Sequence, residues 1–423
     1  MKKTRKRISL VCLLLVCTIM VSITGCSAEV KEVQARNLME SISANHVDVP
    51  EDLSSQNADV TDFAVRLFKA GEQSGKNTLI SPLSVLCALA MTANGAEGKT
   101  RKQMEAVLGM TAEELNLYLY NYRNHLPQSE KYKLSLANSI WFTEDERFTV
   151  NPDFLQTNAD YYNADIYKAP FNDGTCSDIN NWVKEKTDEM IPEILDRIPQ
   201  DAVMYLVNAL AFEAEWSEIY EENQVRKGQF TREDGTGQDV DFMYSTEGIY
   251  LEDEKASGFV KYYNGGKYAF AALLPNEGIS VSDYIASLDG QSLHQLLTNP
   301  AETTVQVSIP KFETEYDVEM SDILKEMGMP LAFDEDLAEF GKLGSFANRN
   351  IAISRVLHKT FISVGEKGTK AGAATVVEMN ECGATMPSED PKEVYLDRPF
   401  VYMLIDCENN IPFFMGTMMD VEE

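Results

Sequence analysis

Histidine is scarce in this chain, with four residues in 423. None stands in an HExxH pattern, and no serine occupies a GxSxG elbow. The nearest phosphate-loop match, Gly98-Lys99-Thr100, has Ala93 where the first glycine is required, and reads as a turn after a helix. Adjacent acids such as Glu113 and Glu114 fall on different helix faces and make no paired acid–base site. An enzyme is therefore not expected. Cysteine is sparse too. The seven are irregularly spaced with no CxxC, which argues against both a disulfide framework and a zinc site, so no metal or cofactor is expected. Cys87 sits in an apolar run and should be buried, Cys176 in a loop, and Cys407 near the last strands. Positive charge is in the minority, 37 Lys and Arg against 67 Asp and Glu. The formal charge of −30 argues against nucleic-acid binding.

The few basic residues are not evenly spread. Lys2, Lys3, Arg5, Lys6 and Arg7 precede an apolar stretch from Ile8 to Ile23 that falls short of the about 20 residues a membrane span needs. Residues 1–25 read as a signal peptide. Ile23-Thr24-Gly25-Cys26 is similar to a bacterial lipobox, with Cys26 the lipidated residue. Removal of 1–25 deletes five positive charges and no negative ones, which takes the formal charge from −30 to −35. Residues 26–57 read as a tether with one helix over 30–42, and about 30 flexible residues reach roughly 30 Å. The expected location is outside the cytoplasm, as an envelope lipoprotein or secreted, with the lipid as membrane anchor.

From residue 58 the pattern turns globular. Thr61 or Asp62 is placed to cap an amphipathic helix over 63–68. Pro82 to Ala93 is apolar on every side, as a buried helix would be. Ser177 to Leu195 reads as a surface helix. Strand-like runs cover 134–142, 203–212, 268–274, 303–309, 351–364 and 400–406. Strands and helices mix without regular alternation, which points to an α+β fold. One further stretch, Gly365 to Met379, opens on tiny residues and then becomes β-branched. With strand alternation, one face carries Thr369, Ala371, Ala373, Thr375, Val377 and Met379 and no charge. The other carries Lys370, Gly372, Ala374, Val376 and Glu378. That parity suits a strand with one face on a core and the other in water.

This stretch resembles the reactive-loop hinge of inhibitory serpins, with Glu366 and then Gly368 to Thr375 in matching places. Seven further stretches resemble the same family in order. They are Ser81-Pro82-Leu83-Ser84, Gly95 to Thr100, Asn180-Asn181-Trp182-Val183 with Thr187, Asn208 to Phe212 with Trp216, Ile309-Pro310-Lys311-Phe312, Leu396 to Tyr402, and Phe413 to Gly416. The resemblance implies one large domain over 58–423 with three sheets, about nine helices and an exposed reactive loop at about 366–392. It implies a monomer that inhibits a serine protease through a covalent acyl complex. The hinge would be Glu366, Gly368, Thr369, Ala371, Gly372, Ala373, Ala374 and Thr375. Ser81, Ser84, Asn208 and His358 would form a buried polar cluster beneath the opening sheet, satisfying one another, with Trp216 where the hinge enters.

Seventeen residues counted inclusively from Glu366 end at Cys382, so the family spacing puts the bait bond at Cys382–Gly383. Met379–Asn380 and Thr385–Met386 are the alternatives. A small Cys before the cut suits elastase-like or subtilisin-like proteases. The alternative within the fold is a non-inhibitory carrier or chaperone, for which a charged or proline-bearing hinge would be expected.

Overall fold

The computed structural model describes residues 33–50, 52–127, 129–199, 202–347, 349–369 and 391–421. Among them are nine α-helices and three sheets, the α+β architecture the sequence led one to expect. A contiguous apolar cluster reaches from Val60 to Val421. The helix Pro82–Ala93 lies at its centre with all twelve residues buried. It packs on strands of both large sheets. Ser81 caps it by accepting from the Ser84 amide at 3.4 Å, and Pro82 opens it, where the missing N–H costs nothing.

The seven-stranded sheet runs Arg36–Asn37, Asp165–Ala169, Tyr132–Thr143, Met204–Glu215, Gly368–Thr369, Arg355–Gly365 and Phe312–Glu319. Its two central strands, Met204–Glu215 and Arg355–Gly365, are parallel. Their direct ladder extends only from Arg355↔Tyr205 to His358↔Asn208. Further up, the two-residue strand Gly368–Thr369 lies between them, antiparallel to both. Among the described residues nothing pairs the two strands between these stretches. The sheet is zipped at one end and wedged at the other.

Several expectations need correction. The first helix spans Asn57–Gly71, so Thr61 lies a turn inside it and bonds the Asn57 carbonyl at 2.9 Å instead of capping. Gly98-Lys99-Thr100 is no turn after a helix but the start of the helix Gly98–Leu108. The Glu339 carboxylate accepts from the Lys99 and Thr100 amides there, so a carboxylate of the protein itself occupies the anion position of that helix N-terminus. The 177–195 helix instead spans Asp173–Lys186, with Asn172 as its cap. Cys176 is therefore in its first turn, buried, its thiol donating to the Leu195 carbonyl at 3.0 Å. Asn180 and Thr187 bond the backbone of 191–195, which folds that stretch back along the helix.

The helix expected over 30–42 is absent from its described part. Arg36–Asn37 pairs with Asp165–Ala169, and the Leu38 amide donates to the Ile166 carbonyl at 2.8 Å. The Asn45 amide reaches Asp160 at 2.7 Å. Residues 33–45 thus lie along the body and cover an open sheet edge, which a local pattern cannot foresee. Nor is the outer sheet face wholly in water. Trp141, Tyr205, Val207 and Leu357 form a second apolar cluster there with Trp182 of the Asp173–Lys186 helix.

Candidate functional site

The wedge is built around a glycine. Gly368 has φ +153°, and a Cβ there would lie 2.0 Å from the Ala214 carbonyl oxygen. Only glycine lets the chain pass that close. Thr369 follows, 2% exposed, between Ala214 and Val364, both also buried. Its side chain is therefore on the core face, as the alternation required, and its hydroxyl hydrogen-bonds that of Tyr263. Tyr263 stacks on Trp216 with ring centroids 4.4 Å apart.

The turn before the wedge is held by its carbonyls. Trp216 Nε1 donates to Gly365 O at 2.8 Å, the Trp216 amide to Lys367 O at 2.9 Å, and the Tyr220 amide to Glu366 O at 2.9 Å. The Glu366 carboxylate accepts from Lys311 Nζ at 2.7 Å. Burial pushes the Glu366 carboxyl up, but the Lys311 hydrogen bond and charge outweigh it and hold the group below its ordinary range. Beneath, the buried Lys261 lies 4.6 Å from the Tyr220 ring centroid and bonds Glu247 at 2.8 Å. Sequence reasoning found Trp216, Glu366, Gly368 and Thr369 and missed Lys311, Tyr220, Lys261 and Tyr263. Lys311 stood in a quoted motif, so a partner could have been sought for it. The other three carry no local signal.

The second group lies where the central strands are zipped. The Ser81 amide donates to His358 Nε2 at 3.1 Å, and Ser84 Oγ donates to Ser81 O at 3.2 Å. Asn208 does not join them. Its Oδ1 and Nδ2, and His358 Nδ1, have no hydrogen-bond partner among the described residues, although both side chains are 1% exposed. The expectation that the four satisfy one another holds for Ser81, Ser84 and one face of His358 only. Ala371, Gly372, Ala373, Ala374, Thr375, Cys382, Gly383 and Cys26 lie outside the described residues.

Burial pushes His358 down to about 3, so its imidazole is neutral near pH 7. Since the folded value lies below the ordinary 6.5, the unfolded chain takes up a proton that the folded chain refuses. The stability this provides is complete above pH 6.5 and is lost as pH falls toward 3, at up to about 1.4 kcal/mol per unit. Denaturation midpoints between about pH 4.5 and 7 should therefore fall less steeply with acid in His358→Gln than in the parent. Parallel slopes would show that the imidazole does not carry the effect.

Residues 58–421 match the family model described as Serpin (serine protease inhibitor). The chain belongs to the serpin family. Members are generally inhibitors of serine proteases and not enzymes. The serpin is 29% identical over 374 residues to an uncharacterized serpin-like protein of Thermococcus kodakarensis, covering 86% of this chain and 85% of that one. Among solved structures it is similar to a thermophilic serpin, Tengpin, in the native state. Identity is 49% and the TM-score 0.87, over 92% of this chain and 100% of that one. Against the latent state of Tengpin the TM-score is 0.78, over 89% and 100%. A thyroxine-binding globulin complex with thyroxine shares the fold at 21% identity and a TM-score of 0.75, over 87% of this chain and 100% of that one.

Proposed function

We propose that this serpin inhibits serine proteases by inserting its reactive loop into the seven-stranded sheet. One observation carries the reading. Gly368–Thr369 is already seated between two parallel strands, antiparallel to both, at the mouth of a stretch where no strand pairing joins them among the described residues. Continued insertion needs no new register. Thr369 pairs with Ala214 and with Val364, so both ladders bring residue 378 level with Tyr205 and Arg355, which are themselves partners. Loop insertion of this kind is a known mode of strand addition.

The chemistry belongs to the protease. Its serine oxygen attacks the carbonyl carbon of Cys382, the bond to Gly383 breaks, and the new amine of Gly383 leaves with a proton. The ester to Cys382 is then carried along as the loop enters the sheet, and inhibition depends on entry outrunning hydrolysis. The small Cys382 side chain supports targets with shallow pockets, elastase-like or subtilisin-like. Incubation of the mature protein with a panel of such proteases should give an SDS-stable complex and a released peptide beginning at Gly383. A different first residue moves the bond and spares the mechanism. Turnover of the loop by every protease, with no stable complex, favours the carrier or chaperone reading.

The serpin also has the features of an envelope lipoprotein, with Cys26 bearing the lipid. Two acyl chains on one thioether-linked unit suffice for stable attachment. Cys26→Ala should move the protein from the membrane fraction to a soluble one, and retention in the membrane fraction would count against the anchor.

A further inference from the structure

Residues 33–45 are held to the body at several points. Val33 and Ala35 pack against the second apolar cluster, Leu38 and Met39 against the main core. The Gln34 amide donates to the Asp178 carboxylate at 3.0 Å. Arg36 and Asn37 pair with Lys168 and Tyr167. Further along, Gln156 Nε2 donates to the Ser43 carbonyl at 3.0 Å, and the Asn45 amide and side chain donate to Asp160 at 2.7 and 3.2 Å. These contacts remove 33–45 from the tether expected over 26–57.

Seven chain links then separate Cys26 from Val33, and even fully extended they span no more than about 25 Å. Val33 lies at a defined end of the molecule. The run from 33 to 37 is antiparallel to Asp165–Ala169, so it begins beyond Ala169. Ala169 is level with Thr143, Phe142 with Met204, and Tyr205 with Arg355. That is the zipped end of the seven-stranded sheet. The wedge is at the other end, where Thr369 pairs with Ala214. Met204 to Ala214 is about 33 Å of strand. A link of about 25 Å that leaves from the zipped end cannot bring its lipid level with the wedge.

The surface at the exit is polar. Gln34, Pro170, Asn172, Ser177 and Asn181 line a cavity there, and Asp178 is its one charged lining residue. Its carboxylate already accepts from the Gln34 amide. Side-chain amides and hydroxyls can donate to headgroup phosphates without carrying charge themselves.

We infer that the zipped pole of this serpin rests against the phospholipid headgroups of the membrane, and that the wedge faces away from it. This rests on the lipoprotein reading and is independent of loop insertion. The docking of 33–45 decides which way the serpin stands. The hinge from Glu366 to Thr369 is presented to enzymes in the aqueous phase, about one sheet length or more from the bilayer surface. A tether over the whole of 26–57 would set no such orientation.

The test uses the lipidated protein in phosphatidylethanolamine and phosphatidylglycerol vesicles whose headgroups carry an energy-transfer acceptor. A donor dye is attached to Ser177→Cys at the zipped pole or to Ser217→Cys beside the wedge, both exposed positions. Each variant also carries Cys382→Ser and Cys407→Ser, and Cys87 and Cys176 are buried. Transfer from residue 177 should exceed transfer from residue 217 several-fold. Insertion of a long Gly/Ser segment between Glu29 and Val30 lengthens the link without touching 33–45, and should bring the two values together. Equal transfer from the two positions with the short link, or a difference that survives the insertion, overturns the orientation. If the parent fails to float with the vesicles, as Cys26→Ala should, the lipoprotein reading falls first and takes the orientation with it.

Discussion

Cleavage within residues 370–390 should leave this serpin more stable than the intact chain, by up to roughly 20 °C in melting temperature. Among the described residues the central strands pair directly over four residues and meet the wedge over two. Once the loop is cut, its upstream limb is free to fill the whole interval. The ladder hydrogen bonds, about 1 kcal/mol each, roughly offset the ordering of the new strand. The inward side chains from Ala371 to Met379 then decide the balance. Covering about 400 Å² of their apolar surface and that of the strands they meet contributes about 10 kcal/mol. In domains of 150–250 residues each kcal/mol moves the midpoint by roughly 2–4 °C, and this larger chain lies at or below the low end. Calorimetry of intact and loop-cleaved protein decides the matter. Coincident transitions would mean that no strand was added.

If this serpin inhibits by loop insertion as proposed, Ala373→Glu should turn it into a substrate, whereas Ala374→Glu should leave it an inhibitor. Both replace alanine with the same charge one residue apart. On insertion residue 373 comes level with Leu210, which is 4% exposed, and with Thr360, which is 1% exposed. An unpaired carboxylate there costs several kcal/mol or must take up a proton. Insertion slows, hydrolysis of the acyl-enzyme wins, and the stoichiometry of inhibition rises. Residue 374 comes level with Lys359 on the opposite face, where Glu315 already pairs with that lysine at 2.6 Å. A second carboxylate near it carries little penalty. Thr369→Arg should behave like Ala373→Glu, since the guanidinium would replace a side chain buried against Tyr263. Titration of a target protease with the three variants gives the comparison. Equal stoichiometry for the Ala373 and Ala374 variants would rule out the assigned parity.

Much of this fold is legible in local pattern. The helix Pro82–Ala93 and the strand Phe400–Asp406 have the bounds their apolar runs suggest. The core-facing side of Thr369 follows from alternation alone, because a pleated strand leaves only two choices. The α+β class, the separated motifs and the tiny residues of the hinge also belong to the chain as written. Tertiary structure settled the rest.

Alternation could not say that the outer sheet face is half covered, which is why Val376 is apolar on the side expected to meet water. In the proposed inserted register it would come level with Val207 and Leu357, both in the second apolar cluster. Glycine at 368 reads as flexibility in the sequence. In the structure it is a matter of space, set by a carbonyl 154 residues away in the chain. Glu366 finds Lys311, and Thr369 finds Tyr263, across separations of 55 and 106 residues. The buried cluster was expected whole, but hydrogen bonding depends on angle and on which groups reach each other, so the Asn208 side chain, though level with His358, makes no hydrogen bond to it, Ser81 or Ser84 among the described residues. Periodicity reports which face of an element is apolar. It carries no information about which distant side chain that face will meet, and the hinge of this serpin is made almost wholly of such meetings.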